Sequence, residues 1–279
     1  MQAHDVVEHP GGEVSVGTRG REKLEKLRTS SPTVILWKDF DLSRLHACNF
    51  TTTYPTVPPS PNMYPATQTR WRAGWVQLCY PEGGDGDMSS DILLQTPAML
   101  VPFGPEGYQH DDPPSTLKLS FTQELADPTG HSSAFLAKLR ELDRWMLKMG
   151  VARDLEWFGR KMDECKVISA YDPIVDECDR NYPPVVKLNI PTFYRKVGGV
   201  TRSWTEYTMF DENRKRAATG TRLDTLVPGT VVKAIVKLGC VGFPLPKRQS
   251  YGIALELVQI LIVSRPPHRQ RDFAFVPDC

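Results

Sequence analysis

The chain has 279 residues, of which 40% are hydrophobic and 24% charged, with 24 prolines and a formal net charge of +1. That is enough apolar material for a sizeable core, in one large domain or two small ones. The near-neutral balance excludes a polybasic coat for nucleic acid, and no run of about eighteen apolar residues marks a membrane span.

Residues 1–30 read as a flexible N-terminal tail. They hold Gly11, Gly12 and Gly17 among polar residues, with five basic and five acidic side chains. No apolar segment there reads as a secretory signal. Order is expected from residue 31, with a short strand at Thr33–Trp37. Residues 51–70, rich in Thr, Pro and Tyr, read as loop. Strands are expected at Trp71–Tyr80, at Ile92–Leu94, at Met99–Val101 and at Leu117–Phe121. In the last, Leu117, Leu119 and Phe121 alternate with Lys118 and Ser120.

The middle, about 132–171, reads as helical. Phe135, Leu139, Leu142, Met146 and Met149 recur at spacings of four and three, the mark of an amphipathic helix. Ser132 or Ser133 is the expected N-cap and Gly150 the expected stop. Val151, Leu155, Phe158 and Met162 continue the pattern up to a break at Gly159, and Lys166–Ala170 reads as a last short helix.

Strands return at Val185–Ile190, Trp204–Phe210, Val231–Leu238 and Tyr251–Val263, with Pro228-Gly229 as a turn. Residues 264–279 read as a C-terminal tail. A five-stranded OB-type barrel carries its helix between its third and fourth strands, and the order strands, helix, strands suits it. The same order suits other α+β folds.

Charge is uneven. Residues 185–279 carry fifteen Lys and Arg against seven Asp and Glu, whereas residues 1–184 carry nineteen against twenty-six. The basic half interleaves aromatics: Tyr194, Arg195 and Lys196 after Phe193, then Arg202, Trp204 and Tyr207, then Arg214-Lys215-Arg216. Gly198-Gly199 marks a hairpin loop within this stretch. Single-stranded nucleic acid calls for this mixture, because cations neutralise phosphates and flat rings stack on unpaired bases at about 1–3 kcal/mol each.

Nothing comparable supports catalysis. There is no phosphate-binding loop, nucleophile elbow or His-Glu-x-x-His sequence. Asp85-Gly86-Asp87 lacks the remaining ligands of a calcium loop. Cys48, Cys79, Cys165, Cys178, Cys240 and Cys279 form no Cys-x-x-Cys pair, and the six histidines do not cluster beside them. Neither a zinc site nor a disulfide framework is expected, and the compartment reads as reducing.

A set of segments resembles a known family. They are Leu94-Gln95-Thr96-Pro97 with Val101-Pro102-Phe103-Gly104, Leu139–Asp143, Glu156–Lys161, Tyr171–Val175, Tyr182–Lys187, Phe210–Asn213, Val227–Gly242 and Glu256–Ile260. In order and spacing they are similar to the single-stranded-DNA-binding proteins of nucleocytoplasmic large DNA viruses, the asfarvirus and phycodnavirus type, over about 91–263. The resemblance implies an OB-like β-barrel with a helical insertion, single-stranded DNA as partner, and a role in viral DNA replication, repair or packaging. It also implies an infected host cell as the setting, in the cytoplasmic viral factory, the nucleus or the virion.

The expectation from sequence is therefore an α+β protein. It has one OB-like DNA-binding domain over 31–263 with flexible termini, no catalysis, no cofactor and no membrane partner. The candidate contacts come from charge and aromatic content alone. Arg195, Lys196, Arg202, Lys247 and Arg248 would neutralise phosphates. Tyr194, Trp204, Tyr207 and Phe243 would stack on bases, with Trp75 a more distant candidate. Single-stranded RNA, a second copy of the chain and replication proteins are further candidate partners. The alternative is a structural or virion-interaction protein on the same fold without nucleic-acid affinity.

Overall fold

The computed structural model describes residues 33–52, 74–82, 87–105, 115–121, 130–177, 183–197, 200–217, 223–243 and 250–266. The expected N-terminal tail, 1–30, lies wholly outside them, and of the expected C-terminal tail only residues 264–266 lie within them. β1 (Val34–Leu36), β2 (His46–Thr52), β3 (Gly74–Glu82), β4 (Asp87–Ser89), β5 (Ile92–Gln95), β6 (Met99–Leu100) and β7 (Thr116–Ser120) come first. Helices α1 (His131–Ala152), α2 (Asp154–Phe158) and α3 (Glu164–Ser169) follow. The rest is β8 (Val175–Asp176), β9 (Val185–Asn189), β10 (Thr192–Val197), β11 (Val200–Thr205), β12 (Thr208–Phe210), β13 (Val231–Phe243) and β14 (Gly252–Ser264).

Five strand positions close into a ring. β13 runs antiparallel to β5 and β6, β6 pairs with β7, and β7 with β9. β9 lies parallel to β14, which returns antiparallel to β13. The ring is an OB-like barrel in which the β5–β6 segment is the first strand and β7, β9, β13 and β14 are the second to fifth. Side-chain alternation builds its interior: Val232, Ala234, Val236 and Leu238 of β13 are buried, while Lys233, Ile235 and Lys237 between them face outward. Leu117, Leu119, Val186, Leu188, Leu255 and Leu257 complete the same core. Each such Val or Leu side chain contributes about 1.5–3 kcal/mol on burial. Register shifts between Ile235 and Val236 and between Leu238 and Val241 bend β13 around the ring.

The Gln95-Thr96-Pro97 sequence explains why the first strand is in two pieces. Pro97 interrupts the ladder. Thr96, 2% exposed, mends it: its N–H donates to Ala234 O at 2.8 Å, and its hydroxyl accepts the Ala234 N–H at 3.0 Å and donates to Pro97 O at 2.9 Å.

The helices do not lie where the OB pattern places its helix. They fall between the second and third barrel strands, not the third and fourth. β3, which falls on the strand expected at Trp71–Tyr80, is outside the ring. It pairs with β2 and β4 and with the last residues of β13, Val241–Phe243, as a side sheet.

α1 buries Phe135, Leu139, Leu142 and Met146 of the expected stripe, with Leu136 beside them, while Met149 is half-buried against the core. Two expectations about its ends are corrected. Its N-cap is Gly130 at φ +74°, not a serine, because helical geometry begins one residue before Ser132. Gly150 does not stop it; the helix runs to Ala152, and Gly150 is where Tyr251 of the barrel packs. A methyl group at Gly150 would overlap the Tyr251 hydroxyl and lie 2.9 Å from Cζ. Gly159, at φ +70°, does end α2.

Around this contact sits an aromatic cluster. Phe243 stacks on Tyr251 at 5.9 Å between ring centres, and Trp157, Phe158 and Phe50 meet Phe243 edge-on at 5.1–5.7 Å. Asp143 of α1 accepts from the Tyr171 hydroxyl at 2.6 Å and from Ile174 N–H at 3.0 Å, fastening the helix to the segment before β8. Burial raises the Asp143 carboxyl above its ordinary value, and burial together with Asp143 raises Tyr171. Arg153 donates to Ala47 O and Cys48 O, both at 3.0 Å, where a register shift bulges β2, and Glu156 accepts Phe50 N–H at 3.1 Å. At the same bulge the Cys48 and Cys79 thiols meet at 2.7 Å, and burial pushes Cys79 up to about 11. Among the described residues no helix is long and apolar enough to cross a membrane.

Candidate nucleic-acid interface

In OB folds the face of the second and third strands, with the loops joining strands one to two and four to five, is the part that takes oligonucleotides. Here that face belongs to β7 and β9. Their register sets Lys118 directly opposite Lys187, and Thr116 opposite Asn189. Lys118, Lys187 and Asn189 line a groove of about 510 Å³. Its floor continues onto β14 at Gly252 and Ala254, and Gly242 and Ser250 flank the β13–β14 connection. Small residues keep that floor low. At Gly252 a Cβ would come within 2.6 Å of the Asp172 carbonyl oxygen, so the 172–176 segment can press close as the far wall. That wall carries Asp172 and Asp176, so the groove holds both signs of charge.

Two residues after β9 ends, the chain enters β10. Among the described residues β10 and β11 pair only with each other, as a two-stranded antiparallel ribbon. Gly198-Gly199, the expected hairpin loop, lie outside the described residues. The register pairs Phe193 with Trp204, Tyr194 with Ser203, Arg195 with Arg202 and Lys196 with Thr201. Alternation along a strand then sets positions 193, 195, 202 and 204 on one face and 194 and 196 on the other. Phe193 is 42% exposed. The ribbon thus gathers five of the ten candidates, Tyr194, Arg195, Lys196, Arg202 and Trp204, into one element joined to the third barrel strand.

The other five fare differently. Tyr207 lies in the break between β11 and β12 and packs, half-buried, against the core. Trp75 is half-buried on β3, in register with Gly242 beside the groove. Phe243 is a correction. It is 4% exposed, with Tyr251, Trp157, Phe158 and Phe50 around its ring, so it offers no open face to a base. β13 runs five residues past the expected end at Leu238, and the alternation carries Phe243 inward. Lys247 and Arg248 lie outside the described residues.

Lys118 and Lys187 were not among the sequence candidates. Lys118 shows in the sequence only as the polar member of an alternating strand. Its pairing with a lysine 69 positions away depends on barrel register. Among the described residues no group of three or more His, Cys, Asp or Glu side chains is placed to hold a metal ion.

No family model and no curated protein matches the chain. Solved structures with a similar trace include gp2.5, a single-stranded DNA binding protein encoded by bacteriophage T7. It aligns at a TM-score of 0.41 with 10% identity, over 66% of this chain and 98% of that one. The single-stranded DNA-binding protein from bacteriophage Enc34, in complex with ssDNA, aligns at 0.38 with 10% identity, over 74% and 98%. Likeness at this level leaves the chain's own geometry to decide what it binds.

Proposed function

We propose that this protein binds single-stranded DNA with little regard to sequence, without catalysis, in the replication, repair or packaging of a DNA genome. One observation carries the reading. Like charges stand directly opposed in register on adjoining elements, Lys118 with Lys187 on the barrel face and Arg195 with Arg202 on the ribbon. A phosphate backbone lying across both positions would meet cations contributed by two adjoining elements. The neighbouring ribbon positions Phe193, Tyr194 and Trp204 supply the flat rings that unpaired bases need and a duplex does not. The resemblance in segments such as Tyr182–Lys187 and Val227–Gly242 extends the proposal to a large DNA virus, with the infected cell's viral factory or nucleus as the setting.

The test is fluorescence anisotropy with labelled oligo-dT, duplex DNA and single-stranded RNA, each across a salt series. Tight, salt-dependent binding of oligo-dT over duplex is expected. Replacing Arg195 and Lys196 together by Glu should weaken it and flatten the log–log salt slope by at least about 1.4, at about 0.7 per phosphate contact on a single strand. An unchanged slope removes the ribbon from the site. No binding even at low salt refutes the reading and leaves the structural or virion-interaction alternative, which predicts a defined protein partner.

A further inference from the structure

The third basic stretch, Arg214-Lys215-Arg216, belongs to neither the groove nor the ribbon. It follows β12, and Arg214 lines a separate pocket of about 220 Å³ on the outer face of the barrel. The sheet register builds this pocket. Gln95 of β5, Ile235 of β13, Gln259 of β14 and Thr208 of β12 form one row across four strands. Lys233, Leu261 and Phe210 form the next. Two amides, one aromatic ring and two cations therefore meet at one place, and no carboxylate is among the lining residues. Two other pockets differ: the groove includes Asp172 and Asp176, and the pocket beside β1 includes Asp39 and Asp91 with Arg44.

The backbone at Arg214 is a second sign. It sits at φ +61°, the one non-glycine residue at positive φ among those described. Asp211 holds it there: its Oδ1 accepts from Asn213 N–H at 2.9 Å and Lys215 N–H at 2.8 Å, and its carbonyl accepts from Arg214 N–H at 3.0 Å. Glycine would fit that turn without strain, so the arginine is kept in an unfavourable conformation, and such strain clusters at binding sites.

We propose that this pocket seats one nucleotide of a bound single strand. Its base lies against Phe210 within reach of the Gln95 and Gln259 amides, and its phosphate lies at Lys233 and Arg214. The proposal rests on the single-strand reading and adds a contact outside the usual barrel face. The pocket is smaller than the ~300–1,000 Å³ that takes a drug-sized molecule, and suits one heterocycle. An amide both donates and accepts, so it can meet the edge of any base, which fits sequence tolerance. The groove and the pocket share strand β14. Outward positions on β14 run Gly252, Ala254, Glu256, Gln259 and Leu261; the first two line the groove and the last two the pocket. From Ala254 to Leu261 is roughly 23 Å at ~3.3 Å per residue. Glu256, between them, is the register partner of Lys237.

The experiment uses the full chain with oligo-dT carrying 5-iodouracil at successive positions, irradiated and mapped by mass spectrometry, beside salt series on Arg214→Gly and Lys233→Gln. Arg214→Gly removes the cation while suiting the positive φ, so the loop keeps its fold. An adduct on the Phe210 peptide, and a slope lowered by about 0.7 in each variant, are expected. If the unaltered chain binds oligo-dT steeply but both variants keep its slope and adducts appear only elsewhere, the pocket is overturned and the single-strand reading stands. If the unaltered chain binds no oligo-dT, the reading falls and takes the pocket with it.

Discussion

Replacing Gly150 by Ala tests the contact that joins helix to barrel. In an ordinary helix interior the change stabilises by about 0.8–1.0 kcal/mol, because glycine has more conformational freedom to lose. At Gly150 the new Cβ would overlap the Tyr251 hydroxyl and stand 2.9 Å from Cζ and 3.2 Å from Cε2 of a ring that is fully buried. Forcing a methyl group into a packed site costs about 1–3 kcal/mol. The overlap wins, and a net loss of about 1 kcal/mol is expected, which for a domain of this size lowers the melting temperature by roughly 2–4 °C. Tyr251→Phe removes the overlapping oxygen. That oxygen is buried and has no hydrogen-bond partner among the described residues, so its loss costs little by itself. In the Tyr251→Phe background Gly150→Ala should therefore be near neutral, a coupling of about 1 kcal/mol in the double-mutant cycle. Urea unfolding of the four proteins reads it. Equal stabilisation by Gly150→Ala in both backgrounds would refute the packing argument.

Thr96→Val keeps shape but deprives the Ala234 N–H of its side-chain acceptor beside the Pro97 interruption; a loss of about 1–3 kcal/mol is expected by denaturant titration, and a neutral result would show that the hydroxyl is dispensable. Burial raises the Asp143 carboxyl in the folded chain, so the fold binds that proton more tightly than the unfolded chain does. Its contribution is full below the ordinary carboxylate range and is lost as pH rises through the raised value. Asp143→Asn, which keeps the acceptor for Tyr171 and Ile174, should therefore flatten stability against pH across that window, and an undiminished slope would place the proton elsewhere. Phe243→Ala should cost about 3–5 kcal/mol while leaving the oligo-dT affinity of the folded fraction intact. Lost affinity without lost stability would return Phe243 to the role of a stacking ring.

Much of the barrel is visible in the sequence because period-two alternation survives wherever one strand face is buried. Val231–Leu238 and Leu117–Phe121 are such cases, and the period of α1 is equally plain. β2 is hidden because its bulge at Cys48-Asn49 breaks the alternation. Trp204–Phe210 reads as one strand because pattern alone does not reveal partners. In the fold Trp204 pairs in the ribbon while Thr208–Phe210 joins β14, with Glu206 and Tyr207 at the change. The candidate site divides the same way. Charge and aromatic content located the ribbon, since its residues are neighbours in sequence. They did not find Lys118 against Lys187, or Gln95 with Gln259 and Lys233, because those sets exist only once the register is set.

The uneven charge of the sequence becomes spatial through the order of the barrel strands. The third, fourth and fifth strands, β9, β13 and β14, all come from the basic segment after residue 184, and so do the ribbon and the Arg214 loop. The first two strands, β2, β3 and β4 of the side sheet, and the helices come from the acidic segment before it. A chain whose net charge is only +1 can therefore present cations along one contiguous set of strands. What a phosphate backbone senses within a Debye length of about 8 Å is the local set and not the total. Near-neutral composition, which excludes a uniformly basic coat, is thus compatible with a polyanion track. The salt dependence of binding should follow the few cations on that track and be insensitive to charge changes on the outward side of the helices, such as at Arg140, already paired with Glu177 at 2.7 Å.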